Sequence, residues 1–282
     1  MPLALILSSY VAGSRVGGMA QALALEPFGV DPVLAPTVLF GRHPGWGPPG
    51  GGAVEAATFE GMLQGIEANG LYGLADLVVT GYFASAAQVE IAAHAIDAVR
   101  AAPRGNAATP GPLVVVDPIM GDDHGGLYVK PEVAEAIERL LVPRADWLTP
   151  NTWELARLSG RPAGEAAEAL AAARAMSRPM LVTSVSAPDG RIGLLLADAA
   201  EAVLFSHARI EHAPHGTGDL VAAVFAAGLV EGDAPAAAER AARAAAMMVE
   251  AAHAWGAPEL PIVALSGRLT RPDADVSRTR AD

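Results

Sequence analysis

Short apolar runs alternate with amphipathic stretches along the first half of the chain. Leu3 to Ser8, Pro32 to Leu39, Leu77 to Gly81, Leu113 to Asp117 and Trp147 to Thr149 are bounded by Pro, Gly, Asp or Asn, as expected of strands buried on both faces. Between them, apolar positions at helical spacing predict helices over Met19 to Phe28, Phe59 to Tyr72, Ala87 to Arg100, Glu132 to Leu141 and Trp153 to Leu158. This βαβ rhythm predicts a mostly parallel sheet covered on both faces. Further on, Met180 to Ser186, Arg191 to Leu196 and Ala202 to His207 read as three strands, with Asp189-Gly190 as a hairpin turn, so the sheet should end in antiparallel strands. Gly216 to Val230 and Ala236 to Ala252 read as long apolar helices, and the alanine-rich Glu165 to Met176 as another. The glycine- and proline-rich stretches Gly41 to Gly52 and Pro103 to Pro112 are loops, since the alternation resumes after each. A single domain is expected over residues 1–269, followed by a polar tail, 270–282, expected to fray.

Composition narrows the function. Hydrophobic residues make up 52% of the 282 residues, yet no run approaches the ~18 apolar residues of a membrane span. Leu3 to Ser8 is too short for a secretory core and no basic residue precedes it, which points to the cytoplasm. Without cysteine there is no disulfide, thiolate metal site or cysteine nucleophile. The net charge is −12 and Lys130 is the sole lysine, so the basic stripe that nucleic-acid or anionic-membrane binding requires is missing.

Four segments carry candidate chemistry. In His215-Gly216-Thr217-Gly218-Asp219, two glycines allow a tight turn and close approach of a ligand, and the N-terminus of the following helix favours an anion. Asp219 can take a proton from an attacking hydroxyl, though Thr217 or Asp219 could equally be a helix cap. Asp117-Pro118-Ile119-Met120-Gly121-Asp122 follows an apolar strand, and carboxylates beyond such a strand suit Mg²⁺ or its waters; the other reading is a solvated acidic turn. Thr149-Pro150-Asn151 with Glu154 fits a capping box, and also oxygen groups near metal-bound water. Thr183 and Ser184 are hydroxyls at a fourth strand end, a residue type ordinary in strands. Read together, all four lie at strand ends or a helix start, where one crevice can collect them. The Walker A loop, the Gly-x-Ser-x-Gly elbow and the HExxH helix are absent from the sequence, and the pair His212 and His215 lacks a nearby third zinc ligand.

Ser8-Ser9-Tyr10-Val11-Ala12-Gly13 through Gly17-Gly18, Thr80-Gly81-Tyr82, DPIMGD, Gly126-Leu127-Tyr128-Val129, TPNTWE and GTGDL occur in this order over nearly the whole chain. In these segments the sequence resembles the pyridoxal kinase family of the ribokinase-like superfamily. The resemblance implies a three-layer α/β/α sandwich with antiparallel edge strands and no separate lid domain. It implies ATP-dependent phosphorylation of the 5'-hydroxymethyl group of pyridoxal, with Mg²⁺, a monovalent cation (K⁺ or Na⁺) and a homodimer. By the same resemblance Asp219 is the catalytic base and Gly216, Thr217 and Gly218 form an anion hole. Asp117, Asp122, Thr149, Asn151 and Glu154 surround the ATP phosphates, with Asp117 and Glu154 toward the metal. Thr183 and Ser184 contact nucleotide, Ser9, His43 and Tyr82 contact the pyridine, and Tyr128 lies over the phosphates.

The sequence departs from the family where related kinases often have a histidine-threonine pair, because His43 is followed by Pro44, which has no hydroxyl. His215 before GTG is similar to hydroxymethylpyrimidine kinases, whose motif normally has cysteine where this chain has Asp219. That family, a non-catalytic B6-binding protein and a sugar or nucleoside kinase remain alternatives at this point.

Overall fold

The computed structural model describes residues 1–281. Its strands are β1 (Leu3–Val11), β2 (Asp31–Phe40), β3 (Gly51–Ala53), β4 (Ala75–Thr80), β5 (Leu113–Val116), β6 (Gly121–Asp122), β7 (Gly126–Leu127), β8 (Trp147–Leu148), β9 (Met180–Ala187), β10 (Arg191–Ala197), β11 (Ala202–His207) and β12 (Ser277–Arg280). Its helices are α1 (Gly17–Leu25), α2 (Ala56–Ala68), α3 (Ala86–Ala101), α4 (Pro131–Ala136), α5 (Thr152–Ser159), α6 (Ala166–Met176), α7 (Thr217–Leu229), α8 (Ala234–Trp255) and α9 (Ile262–Leu265). Ten strands form one sheet in the order β12-β11-β10-β9-β8-β5-β4-β1-β2-β3, and β6 and β7 form a small separate hairpin. The block from β2 through β1, β4, β5 and β8 to β9 is parallel. Antiparallel strands flank it at both edges. The mostly parallel sheet with antiparallel edge strands expected from the sequence is the one observed.

Because successive side chains point to opposite faces, each strand divides its residues between two cores. Leu3, Leu5 and Leu7 of β1 pack on one face with Val114 and Val116 of β5 and residues of α3 and α6. Ala4 and Ile6 pack on the other with Val115 and residues of α1, α7 and α8. A strand buried on both faces must be apolar throughout, which is why the runs were continuous rather than alternating.

Two expectations need correction. The stretch 270–281 does not fray as a whole, residue 282 lying outside the described residues: β12 pairs antiparallel with β11, and Ala274 and Val276 are buried. Strand β12 reads Ser-Arg-Thr-Arg and all four residues are exposed, so an outermost strand held by backbone bonds left no apolar signature. Within the loop 41–52, residues from Gly51 onward pair with β2 as β3, an edge strand of small exposed residues that likewise lacks a pattern. The hairpin turn holds, with Asp189 and Gly190 both at positive φ, 58° and 69°. The helix expected over 132–141 is α4 continued by one wide turn, 137–141. Among the described residues no helix is long and apolar enough to cross a membrane.

Candidate active site

The carboxyl ends of the parallel strands open into a cavity of about 520 Å³, the place where open α/β sheets bind ligands. Ser9, His43, Tyr82, Asp117, Asp122, Tyr128, Thr149, Asn151, Glu154, Thr183, Gly216, Gly218 and Asp219 all line it. Two expected residues do not. Thr217 turns its hydroxyl back to donate to the Pro214 carbonyl at 3.0 Å. Ser184 is exposed at φ 62°, where the register of β9 against β10 shifts, and this directs it away from the cavity that its neighbour Thr183 lines.

Asp219 sits in the first turn of α7, a helix entered through Gly216 at φ 90° and without a side-chain cap. That conformation is strained for any residue but glycine, and a Cβ at Gly216 would lie 2.3 Å from the Arg15 carbonyl oxygen. The close approach brings the α7 terminus against the loop between β1 and α1. There the Gly17 backbone N–H donates to Asp219 Oδ2 at 2.8 Å, while Oδ1 is buried with no partner among the described residues. Burial pushes the Asp219 carboxyl up to about 6, against the opposing pull of the Gly17 N–H.

Asn151 and Glu154 form the expected capping box at the start of α5. Glu154 does more than cap: its Oε2 accepts the Asn151 N–H at 2.9 Å and its Oε1 accepts the Met120 N–H at 2.8 Å. The Asn151 amide donates to the Gly121 carbonyl at 2.8 Å, so the box anchors the segment that follows Asp117. Both Glu154 oxygens are therefore engaged by backbone. Burial nevertheless pushes its carboxyl up to about 8, against those hydrogen bonds. Asp117 is raised well above the usual carboxylate range by burial first, then by the charges of Glu154 and Asp219. Three buried carboxylates thus meet with no cationic side chain lining the cavity beside them.

Asp122 faces the cavity while its Oδ1 accepts the N–H groups of His124 and Gly125 at 2.9 and 2.6 Å, closing the β6-β7 hairpin. The hairpin leads into Tyr128, half exposed over the cavity, whose N–H donates to the Met120 carbonyl at 3.0 Å. At the opposite end, the segment carrying Tyr82 is fixed by the buried Gln88. Its oxygen accepts the Ala84 N–H at 2.9 Å and its amide donates to the Thr37 carbonyl at 2.8 Å. The Thr37 hydroxyl in turn donates to the Tyr82 carbonyl at 2.6 Å.

Val16, Gly17, Ile119 and His215 also line the cavity and carried no assigned role in the sequence. For Gly17 the signal is its place in a glycine pair opening a helix. For His215 it is adjacency to the GTG turn, where its ring stacks on His43 rather than pairing with His212 as a zinc ligand. The arrangement can bind an anion at α7, hold a hard cation by carboxylate oxygens and accept a proton at Asp219.

Residues 75–262 match the family described as phosphomethylpyrimidine kinase. The pyridoxine/pyridoxal/pyridoxamine kinase of Bordetella avium (strain 197N) is 39% identical over 233 residues, which span 80% of this chain and 77% of that protein. The pyridoxal kinase of Deinococcus radiodurans is 32% identical over 282 residues, covering 95% and 93%. Among solved structures, pyridoxal kinase from Leishmania donovani in complex with ADP superposes with a TM-score of 0.90 at 26% identity, covering 99% of both chains.

Proposed function

The chain belongs to the pyridoxal kinase family, and we propose that it transfers the γ-phosphoryl group of ATP to the 5'-hydroxymethyl group of a B6 vitamer, pyridoxal first. The observation that carries this is the position of Asp219. It is buried in the first turn of a glycine-entered helix, beside the same cavity as Asp117 and Asn151, with its carboxyl near 6. At neutral pH such a group is largely ionised and still basic enough to take a proton.

In the reaction Asp219 accepts the hydroxymethyl proton, the freed oxygen bonds to the γ-phosphorus, and the bond from that phosphorus to the β,γ-bridging oxygen breaks to release ADP. The N–H groups at the start of α7, from Gly216 to Gly218, face the charge on the moving phosphoryl group. Ser9, Tyr82 and His43 surround the acceptor ring, while Asn151, Thr183 and Tyr128 border the nucleotide. Oxygen donors with uncompensated negative charge suit Mg²⁺, which commonly takes one or two protein carboxylates and completes its shell with phosphate and water. Asp117 is the ligand on this reading. Glu154, with both oxygens on backbone N–H groups, holds the Asp117 segment in place. The metal, when bound with nucleotide, neutralises phosphate charge.

The test is ADP formation from MgATP with pyridoxal, pyridoxine, pyridoxamine and hydroxymethylpyrimidine as separate acceptors. Turnover of pyridoxal above the pyrimidine is expected. Turnover of the pyrimidine alone would overturn the assignment in favour of a pyrimidine kinase, and binding of pyridoxal with no turnover would leave a binding protein on the same fold.

A further inference from the structure

His43 and His215 come from segments far apart in sequence, yet their rings stack at the cavity rim with centroids 4.2 Å apart and planes 22° from parallel. Trp46 packs edge-on against His43 at 6.2 Å and 65°. Within the loop, the Gly45 N–H donates to His43 Nδ1 at 3.1 Å, so Nδ1 carries no proton in this conformation. We infer that His215 is a positioning residue for acceptor binding: its ring, stacked on His43, holds the 43–47 loop over the acceptor end of the cavity. The inference rests on the function proposed above.

Protonation of His43 would place a proton on the nitrogen that accepts from Gly45 and a positive charge against His215. Burial and then the neighbouring His215 both lower the His43 pKa, with Glu259 opposing. Glu259, after α8, has its Oε2 tied to the Arg15 N–H at 2.8 Å. Arg42 belongs to the same loop and donates its Nε to the Pro48 carbonyl at 2.8 Å. Asp219 on α7 and Tyr82 after β4 are the other titratable groups at this end of the cavity. A group whose pKa is lower in the closed loop favours closure above its ordinary value, near 6.5, and progressively loses that contribution as pH falls.

The experiment compares wild type, His215→Ala and His215→Phe from pH 6 to 8.5, reading kcat and KM for pyridoxal and ATP. An aromatic contact of ordinary strength predicts that His215→Ala raises the pyridoxal KM about three- to tenfold, with kcat and the ATP KM nearly unchanged. His215→Phe should recover most of that KM and show a smaller acid-side rise than wild type, because the ring remains while the part of the His43 lowering that comes from His215 does not. An unchanged pyridoxal KM in His215→Ala, or a phenylalanine variant no better than the alanine one, would overturn the inference. The His43 Cε1–H resonance gives a readout without turnover, expected to shift in His215→Ala and stay near its wild-type position in His215→Phe. Wild type inert toward every B6 vitamer would remove the proposed function, whereas an unmoved His43 resonance in His215→Ala would remove the stack alone.

Discussion

Gly17 and Asp219 are joined across 202 positions of sequence by one hydrogen bond, from backbone N–H to carboxylate, 2.8 Å long and buried. The bond fixes the carboxylate's direction and stabilises its ionised form. Asp219→Asn should lower kcat about 10²–10⁴-fold, the usual contribution of a placed general base. In wild type, kcat/KM should fall as pH drops through about 6, because the base must be ionised. Gly17→Ala should do two things. A Cβ there would lie 1.9 Å from Ser9 Oγ, at φ 58°, so the loop must shift and acceptor KM should rise. Weakening the N–H bond removes what holds the carboxyl down, so the acid limb should move above its wild-type position. A limb unmoved or moved downward in pH–rate profiles would disprove this coupling.

The buried carboxylates also tie stability to pH. Glu154 is raised from 4.5 to about 8, so the folded state holds a proton that the unfolded chain has already lost at neutral pH. Its contribution is complete below the unfolded value and disappears as pH rises through about 8. The unliganded protein should therefore melt at lower temperature at pH 9 than at pH 7. Glu154→Gln should flatten the dependence, as should saturating MgADP if a cation settles beside Asp117. Melting followed by circular dichroism decides it, and a wild-type midpoint that rises toward pH 9 would contradict the account.

What could be read in the sequence follows from where side chains had to be apolar. Strands β1, β4 and β5 are buried on both faces, so their positions were forced to be continuous apolar runs. Strands β3 and β12 lie at the two edges of the sheet with every residue exposed, so nothing forced their side chains to be apolar. The Asn151 capping box was legible because its spacing is local. Glu154's second bond, to Met120, was not, since it joins residues 34 apart. Ser184 was misplaced for a similar reason: a register shift turns it outward, and hydroxyls in a strand do not reveal which way they face.

Helix packing yields a prediction in which the sign is informative. Gly228 lies in α7 where it crosses α8, and a Cβ added there would sit 2.5 Å from the Ala237 Cβ and 2.9 Å from its Cα. Replacing glycine by alanine inside a helix normally stabilises by about 1 kcal/mol. Here backbone must give way, so Gly228→Ala should destabilise by about 1–3 kcal/mol. Gly61 in α2 has nothing within 4 Å of the same added atom, so Gly61→Ala should follow the propensity and stabilise. Urea denaturation of the pair, with opposite signs expected, checks the crossing.

Asp76 is fully buried at the start of β4 and is satisfied from three directions. Oδ2 accepts the Leu3 N–H at 3.0 Å, and Oδ1 accepts the Thr109 N–H and hydroxyl, both at 2.7 Å. Arg104 completes the set, its Nη2 lying 3.1 Å from Oδ1 while Nη1 donates to the Ala75 carbonyl at 2.6 Å. One carboxylate thus secures both the first residue of β1 and the glycine- and proline-rich loop 103–112, which buries little apolar side chain of its own. Asp76→Ala strands the backbone donors of Leu3 and Thr109 and leaves Arg104 without its counter-charge. Breaking one partner of such a buried pair costs about 3–5 kcal/mol. Asp76→Asn keeps acceptor capacity at one atom but puts donors where N–H groups already point, so it should recover only part of the loss. Amide exchange would show the origin, with protection lost first at Thr109 and Leu3. Unchanged protection at those two amides in Asp76→Ala would mean that the loop is held by other contacts.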